Sequence, residues 1–256
     1  MRDYIFKVKL NREIAKDVFE LTLSTDEQLD VQSFKGGQFA HVEVPLGTGL
    51  LRRPFCIYKM TKSTVTFLIA KKGSGTEGLC SLKVGTELKV ILPLGKGFTL
   101  GENDKKVVLL GAGMGCAPLF PVIQTYPDRE YYSFMGFHDK SKVICVEEFA
   151  TYTKSVFCTS DGSFGERGHA TDVFLERLEQ IKPDVVLICG PHSFMKSAQK
   201  IAIDNNLKAY LSTEQRMGCG IGACLVCSCK TVKDGEEHMS RVCADGPVFD
   251  VREIIL

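Results

Sequence analysis

The sequence of 256 residues lacks tryptophan and has almost no excess of charge of either sign. Its 32 Lys and Arg residues are balanced by 31 Asp and Glu residues, so the net charge is +1. This balance argues against a nucleic-acid-binding surface and against a polyacidic tail. Long hydrophobic runs are also missing, since no stretch reaches the roughly 20 apolar residues that a membrane-spanning helix needs. We therefore expect neither a nucleic-acid partner nor a membrane segment.

The first residues, 1–4, are charged and lack the apolar segment of a signal peptide. The overall composition, 44% hydrophobic and 25% charged, is typical of a globular protein with room for more than one domain. Cysteine is abundant, with an odd count of 11. A secreted disulfide scaffold is usually short and has an even count, so we expect a cytoplasmic protein whose thiols are metal ligands, catalytic groups or buried side chains.

Five of the cysteines lie close together near the C-terminal end, between positions 219 and 243. Four of them, Cys219, Cys224, Cys227 and Cys243, read C-x4-C-x2-C followed by a further Cys after 15 residues. This is the plant-type spacing of 2Fe-2S cluster ligands. Glycines at 218, 220 and 222 suit a loop that brings backbone amides close to sulfur atoms.

The fourth cysteine is separated from the other three by a predicted β-hairpin. Asp234-Gly235 is a strong turn signal between the β-compatible stretches 228–232 and 237–242. A turn centred there places Cys243 beside Cys227 and leaves Cys229 as a spare thiol. Structural zinc and buried free thiols are the alternatives, but four-cysteine zinc sites generally consist of two separated Cys pairs. The compact triplet with one distant cysteine favours iron-sulfur over zinc.

The N-terminal hundred residues contain six short apolar runs, which predict an antiparallel β-barrel over 1–101: 5–10, 18–23, 39–44, 55–60, 65–70 and 87–92. The fourth run opens with Arg53, Pro54, Phe55 and Cys56, and a glycine-rich loop follows at 73–78. We interpret the Arg53 cation and the amides of that loop as a site for a pyrophosphate, with a planar ring against Phe55. A solvated arginine and an ordinary turn are the plain alternative.

Residues 102–211 change to alternating strands and helices, which predicts a parallel α/β sheet. Its first strand runs into Gly111, Gly113 and Gly115, where a helix N-terminus could meet a phosphate. Cys116 stands where the dinucleotide fingerprint has its third glycine, so that fingerprint is not satisfied.

Two further positions of this sheet fall at strand ends, where open α/β sheets bind their ligands. One is the pair Cys189-Gly190, which follows a later strand. The other is Asp139, a candidate acceptor for ribose hydroxyls that favours NAD over NADP, although an exposed turn carboxylate is an equally good interpretation.

These motifs occur in the order seen in ferredoxin-NADP-reductase-like flavoproteins, and with the terminal cysteines they resemble the electron-transfer subunits of type B dihydroorotate dehydrogenases. The stretch 214–224, Glu-Gln-Arg-Met-Gly-Cys-Gly-Ile-Gly-Ala-Cys, is the most specific part. The resemblance implies a multi-domain β and α/β protein: an FAD-binding antiparallel β-barrel over 1–101, a Rossmann-like NAD-binding α/β domain over 102–211 and a small 2Fe-2S module over 212–256.

The resemblance also implies site residues. Those for the flavin are Arg53, Pro54, Phe55, Cys56, Leu68, Ile69, Ala70, Gly75 and Thr76. Those for the cluster are Cys219, Cys224, Cys227 and Cys243. The candidates for NAD remain Gly111, Gly113, Gly115, Asp139, Cys189 and Gly190. One departure concerns Cys56, because the family usually has Ser or Thr there and a thiol is a weaker hydrogen-bond donor than a hydroxyl.

The implied activity is an electron relay in pyrimidine biosynthesis. A partner subunit that carries FMN oxidises dihydroorotate, and electrons pass through the 2Fe-2S cluster and FAD to NAD. The implied assembly is a heterotetramer with two copies of each subunit. Because a cluster carries single electrons and NAD accepts two, a flavin is the necessary converter. We expect no catalytic side chain and no oxidation of dihydroorotate by this chain alone.

Two other functions are compatible with parts of the sequence. The small subunits of NADH-dependent ferredoxin:NADP oxidoreductases and of sulfide dehydrogenases share the architecture, but one of their ligands can be a carboxylate, whereas all four positions here are Cys. A zinc-stabilised binding module without redox activity is the alternative from another class.

Overall fold

The computed structural model describes residues 2–45, 47, 49 and 51–256. Its N-terminal part is a seven-stranded antiparallel sheet in the order β4-β3-β7-β1-β2-β6-β5. The elements are β1 Arg2–Ala15, β2 Val18–Ser24, β3 Phe39–Val42, β4 Arg53–Cys56, β5 Lys59–Met60, β6 Thr64–Ala70, the short helix α1 Ser74–Cys80, and β7 Glu87–Leu94.

The two edge strands of this sheet, β4 and β5, are neighbours in the chain, and the link between them completes the barrel wall. Ile57 donates its N–H to the Gln38 carbonyl beside β3, and Tyr58 donates to the Thr66 carbonyl on β6. The single predicted run 55–60 is therefore divided between two strands, because the backbone changes its hydrogen-bonding neighbour at 57–58. Buried apolar side chains fill the interior.

The middle of the chain alternates strands and helices as predicted. The elements are β8 Lys106–Ala112, α2 Cys116–Thr125, β9 Glu130–Phe137, α3 Val146–Tyr152, β10 Lys154–Thr159, β11 Glu166–Arg167, α4 Ala170–Ile181, β12 Val185–Cys189, α5 His192–Asp204 and β13 Ala209–Ser212. The C-terminal part adds the hairpin β14 Ser228–Lys233 and β15 Glu236–Arg241, and then β16 Val248–Asp250.

The second sheet has the order β11-β10-β9-β8-β12-β13-β16, in which all pairs are parallel except the antiparallel β13–β16 pair. Its central strand β8 is buried on both faces: Val107 and Leu109 pack with α2, whereas Val108 and Leu110 pack with α4. Since β9 and β12 lie on opposite sides of β8, the order in which strands are added to the sheet reverses there, and ligands of open α/β sheets bind at such a point.

The hairpin has the predicted register, with Ser228 opposite Arg241 and Lys233 opposite Glu236. Asp234 and Gly235 both have positive φ, 52° and 82°, as a two-residue hairpin turn requires. The turn therefore fixes which residues of β15 face β14.

The C-terminal segment contacts both sheets. Its last strand, β16, extends the parallel sheet, and the Lys96 N–H donates to the Gly246 carbonyl over 2.6 Å. One continuous core contains Phe39 of the barrel, Phe249 of β16 and residues of α4 and α5. Among the described residues, no helix is both long and apolar enough to cross a membrane.

The closest backbone approach at the β8–β12 switch point leads to a stability prediction. A Cβ atom at Gly115 would lie 2.1 Å from the Cys189 carbonyl oxygen, although φ at Gly115 is an ordinary −63°. We expect Gly115→Ala to lower the free energy of unfolding by about 2–3 kcal/mol, because backbone has to move. Urea denaturation measures this change.

The matched control is Gly101→Ala, where the nearest atom, Asp104 Oδ2, lies 3.5 Å from a built Cβ. Its free energy of unfolding should stay within about 0.5 kcal/mol of the wild type. Equal stabilities for the two variants would contradict the packing at the switch point.

Candidate electron-transfer site

The four cysteines with cluster spacing lie in one loop region as an inner and an outer pair. The inner pair is Cys227 and Cys243, whose Sγ atoms are 3.1 Å apart and whose side chains are 2% and 3% exposed. The outer pair is Cys219, which is half-buried, and Cys224, which is exposed. The structure thus brings together all four predicted ligands. Cys229, the spare thiol, is buried and is the second residue of β14.

Backbone amides point at the sulfur atoms of this loop. Each of the four sulfurs accepts one N–H: Ile221 N to Cys219 Sγ at 3.5 Å, Cys219 N to Cys224 Sγ at 3.4 Å, Cys243 N to Cys227 Sγ at 3.4 Å, and Gly222 N to Cys243 Sγ at 3.1 Å. Amide donors stabilise negative charge on sulfur, both in thiolates and in bound clusters. The donor set therefore fits an iron-sulfur cluster.

The electrostatics of the two pairs differ. The Ile221 amide, with those of Cys224 and Ala223, lowers the pKa of Cys219 to about 6. Burial, followed by the neighbouring Cys227 thiol, raises the pKa of Cys243 to about 12. In the part of the chain that the structure describes, no three His, Cys, Asp or Glu side chains converge on the position of a single metal ion.

The loop reaches this shape through left-handed backbone at Gly220, Gly222 and Leu225, where φ is 72°, 85° and 60°. Arg241 at the end of β15 holds it in place by donating from Nη1 to the Gly222 carbonyl over 3.0 Å. The same guanidinium donates to the Asp245 carboxylate and holds the pKa of that carboxyl below its usual value. Sequence reasoning found the glycines of this loop but not the Arg241–Asp245 pair that fixes it.

The predicted flavin residues come from two elements that meet at the barrel mouth. A Cβ at Gly75 would lie 3.1 Å from Arg53 Nε, so the guanidinium lies against the start of α1. The predicted loop 73–78 is a helix from Ser74 onwards, which is a correction to its shape. Thr76 Oγ1 accepts from the amides of Lys72 and Gly73 and so caps this helix. The structure joins Arg53 to the Gly75-Thr76 segment, as the pyrophosphate interpretation requires.

The other predicted flavin residues lie on β4 and β6. In the β3–β4 ladder, Phe39 is opposite Cys56 and His41 is opposite Pro54. The Phe55 ring centroid is 6.2 Å from that of Phe67. Leu68, Ile69 and Ala70 end β6, which leads directly into α1.

The predicted nucleotide glycines gather at the carboxyl ends of β8 and β12. Gly113 has φ of 53°, and Gly115 packs on the Cys189 carbonyl. A Cβ at Gly190 would lie 2.6 Å from the Phe194 ring and 3.1 Å from the Ala112 Cβ. Close packing therefore favours glycine at 115 and 190, whereas the left-handed backbone favours it at 113.

Asp139 follows β9, and its carboxylate is engaged in a local turn. It accepts from the Ser141 N–H over 2.7 Å and lies 3.2 Å from His138 Nδ1. The hydrogen bonds from Ser141, followed by His138, lower its pKa to about 2. The side chain is consequently ionised, whether or not it contacts a ribose.

Sequence reasoning gave no role to Glu214, the first residue of the stretch 214–224, which lies just beyond β13 and close to two predicted site thiols. Burial, followed by Glu214, raises the pKa of Cys56 to about 12. Burial, followed by Cys56 and Glu214, raises the pKa of Cys189. A cavity of about 320 Å³ adjoins this group and is lined by Gly190, Thr213, Glu214 and Cys229, among others. Glu214 follows a parallel strand, and this position was the signal in the sequence that could have identified it.

Sequence reasoning also missed His41. It is 2% exposed on β3 and lies between the barrel and the cysteine loop. A Cβ at Gly220 would lie 2.7 Å from His41 Nδ1. Burial, followed by the Arg52 guanidinium, lowers its pKa.

The chain has the fold of ferredoxin reductases of known structure. An NADH-dependent reduced ferredoxin-NADP oxidoreductase, described in relation to flavin-based electron bifurcation, superposes with a TM-score of 0.85 over 98% of this chain and 89% of that chain, at 23% identity. Phthalate dioxygenase reductase superposes with a TM-score of 0.66 over 93% and 76%, at 16% identity. These similarities confirm the predicted fold.

Sequence relatives define the family. The dihydroorotate dehydrogenase B (NAD(+)) electron transfer subunit of Streptococcus mutans is 36% identical over 251 residues, 96% of this chain and 95% of that protein. The same subunit of a Geobacillus species is 36% identical over 263 aligned positions and covers both chains fully. Residues 214–255 match the iron-sulfur cluster binding domain of dihydroorotate dehydrogenase B. The chain belongs to the family of dihydroorotate dehydrogenase B electron-transfer subunits.

Family and fold together confirm several predictions. The chain is an oxidoreductase subunit with an electron-transfer function, and its cofactors are FAD, a 2Fe-2S cluster and NAD. An electron-transfer subunit works with a catalytic partner, which confirms the predicted partner in general terms. The two alternative functions are not better supported. The dihydroorotate dehydrogenase B subunit of Streptococcus mutans is 36% identical to this chain, whereas the NADH-dependent ferredoxin-NADP oxidoreductase is 23% identical.

Cys56 provides a pH-dependent test of this site. Because burial and Glu214 raise its pKa to about 12, the thiol is protonated at every pH well below that value. Iodoacetamide reacts with the thiolate, so we expect no alkylation of Cys56 in the folded protein between about pH 7 and 9. Peptide mass spectrometry measures the modification, with urea-unfolded protein as the control in which Cys56 reacts. Equal modification of the folded and unfolded protein would contradict the raised pKa of Cys56.

Proposed function

We propose that this chain takes electrons from an FMN-containing catalytic subunit that oxidises dihydroorotate and delivers them to NAD in pyrimidine biosynthesis. We further propose a heterotetramer of two copies of each subunit, located in the cytoplasm. The observation that carries the proposal is the direct contact between the cysteine loop and the barrel strand β3, at Gly220 and His41. This contact makes the cluster site and the flavin site neighbours, as electron transfer between them requires.

The cofactor sites divide the chain into three functional units, 1–101, 102–211 and 212–256. We assign the cluster to Cys219, Cys224, Cys227 and Cys243. We assign FAD to Arg53, Pro54, Phe55, Cys56, Leu68, Ile69, Ala70, Gly75 and Thr76. We assign NAD to Gly111, Gly113, Gly115, Asp139, Cys189 and Gly190. When bound, the flavin exchanges a hydride with NAD and single electrons with the cluster.

The side chains around the flavin site bind the cofactor and exclude water, and none of them needs to act as an acid or a base. Arg53 places a cation beside α1, where a pyrophosphate is stabilised by charge-assisted hydrogen bonds. The thiols of Cys56 and Cys189 stay protonated because burial and the nearby Glu214 raise their pKa, so they add no charge where the two sheets meet. Exclusion of water there would protect a hydride transfer from solvent.

Asp139 supports a preference for NAD over NADP. Its pKa of about 2 keeps the carboxylate charged, and Asp161 lies near enough for its charge to interact with that of Asp139. Two negative charges at the ends of β9 and β10 disfavour a 2′-phosphate and can accept hydrogen bonds from ribose hydroxyls.

The surface around the outer cysteine pair supports docking of the catalytic subunit. Exposed Cys224 is followed by Leu225 and Val226, which are 62% and 56% exposed, and Ile221 and Met239 are also exposed. Apolar side chains at an exposed cluster edge are typical of an interaction surface. A partner seated there lies next to the outer sulfurs, which shortens the electron-transfer distance.

The cluster assignment predicts the effect of removing single thiols. We expect Cys219→Ser, Cys224→Ser, Cys227→Ser and Cys243→Ser each to lose most of the bound iron and the reduced-state EPR signal, since serine is a poorer ligand for this cluster. Cys229→Ser is the matched control, because Cys229 lies in the same module but outside the assigned set. It should keep about two irons per chain. Iron retention by the four variants, or iron loss in the control, would contradict the assignment.

Partner docking is tested with the isolated chain and the reconstituted complex. We expect NADH to reduce the isolated chain, and dihydroorotate to reduce it only after an FMN-containing catalytic subunit is added. Leu225→Asp should weaken subunit association about tenfold or more, because a charge replaces an apolar contact. NADH oxidation with an artificial acceptor should be unchanged in that variant.

The control for docking is Val84→Asp, another exposed apolar residue, 71% exposed, on the loop between α1 and β7. Its association with the catalytic subunit, measured by analytical ultracentrifugation, should equal that of the wild type. If Leu225→Asp binds as tightly as Val84→Asp, the partner docks elsewhere. If dihydroorotate reduces the chain with none of the FMN-containing partners, the substrate assignment is wrong.

A further inference from the structure

The buried imidazole of His41 lies at the contact between the barrel and the cysteine loop. It is 2% exposed, and neither ring nitrogen forms a hydrogen bond of normal geometry to any residue that the structure describes. Buried polar groups are nearly always paired, so such a ring requires an explanation. The backbone groups of Arg52 and Cys219 are the polar groups that face it.

The cysteine loop passes directly over this ring. A Cβ at Gly220 would lie 2.7, 3.1 and 3.3 Å from three of the ring atoms, with Nδ1 the nearest. Gly220 also has φ of 72°, which a side chain would strain. The loop therefore turns with its backbone against His41 Nδ1, between the cluster candidate Cys219 and Ile221.

The other face of the contact leads to the flavin site. His41 is opposite Pro54 in the β3–β4 ladder, and directly opposed residues of antiparallel strands project to the same side of the sheet. Phe39, opposite Cys56, shares that side and packs in the same core as Cys227 and Cys243. His41 is thus the polar side chain on the barrel face that supports the cluster loop.

We infer that His41 is a positioning residue through which the barrel sets the reduction potential of the cluster: its buried N–H is held as a hydrogen-bond donor toward the Cys219–Gly220 segment and the group bound there. Hydrogen bonds near the sulfurs are among the factors that set the potential of an iron-sulfur cluster. A donor stabilises the reduced, more negative state, so its loss shifts the potential to more negative values. The inference rests on the proposed cluster site.

The test compares His41→Leu with His41→Asn in the full-length protein. Leucine fills similar space without a donor, whereas the asparagine amide nitrogen replaces Nδ1. We expect an EPR-monitored redox titration to show a more negative cluster potential in His41→Leu, with the flavin potential unmoved, and a potential close to the wild-type value in His41→Asn. Thr66→Val, a buried polar position inside the barrel wall at 6% exposure, is the control and should leave the cluster potential unchanged.

Equal potentials in the leucine, asparagine and wild-type proteins would overturn the inference, and so would equal shifts in both variants, because the ring would then only fill space. If His41→Leu loses its cluster too readily for titration, the rate of iron release to a chelator replaces the potential. Faster release from the leucine than from the asparagine variant supports the donor, and equal rates overturn it. Absence of a 2Fe-2S signal in the wild type would instead refute the proposed function.

Discussion

Four sulfurs have to be held close together here without leaving their negative charge unsupported. Backbone amides meet this need: three in the loop 218–227 and that of Cys243 each point at one sulfur, and Gly220 and Gly222 supply left-handed conformations to the loop. A loop of this shape has little core of its own. It is stabilised by the hairpin behind it, by the Arg241–Asp245 pair and by the barrel surface below it.

The C-terminal segment that carries the loop also links the two sheets, which pack directly on each other as well. The C-terminal segment pairs with the parallel sheet through β16 and with the barrel through Lys96 and Gly246. The flavin candidates on β4, the nucleotide loops after β8 and β12, and the cysteine loop therefore meet at one place. Cys56, Cys189 and Glu214 mark that place by their mutual electrostatic influence. Electron transfer over short distances requires such convergence, and a rigid connection between the parts preserves it.

Much of this could be predicted from sequence where the controlling interaction is local. The hairpin register followed from Asp234-Gly235, because a two-residue turn fixes every pair beyond it. The parallel sheet followed from apolar runs such as 107–110, which are buried on both faces. The four cluster candidates followed from spacing alone.

The features that could not be predicted depend on contacts between distant segments. In the sequence, His41 cannot be distinguished from other residues of a predicted strand. Its importance follows only from the contact of its ring with Gly220, which is far away in the sequence. The short helix α1 replaced a predicted loop because Thr76 caps it, a contact that a run of glycines conceals. Division of the run 55–60 required both edges of the barrel to be known.

Anaerobic titration of the purified isolated chain with NADH, followed by visible absorbance and by EPR, tests electron transfer from NADH through the flavin to the cluster. We expect a yellow-brown protein whose flavin absorbance falls on NADH addition and whose 2Fe-2S EPR signal then appears. A colourless protein that contains stoichiometric zinc would contradict this electron transfer, and so would a flavin that NADH reduces while the four-cysteine site remains silent.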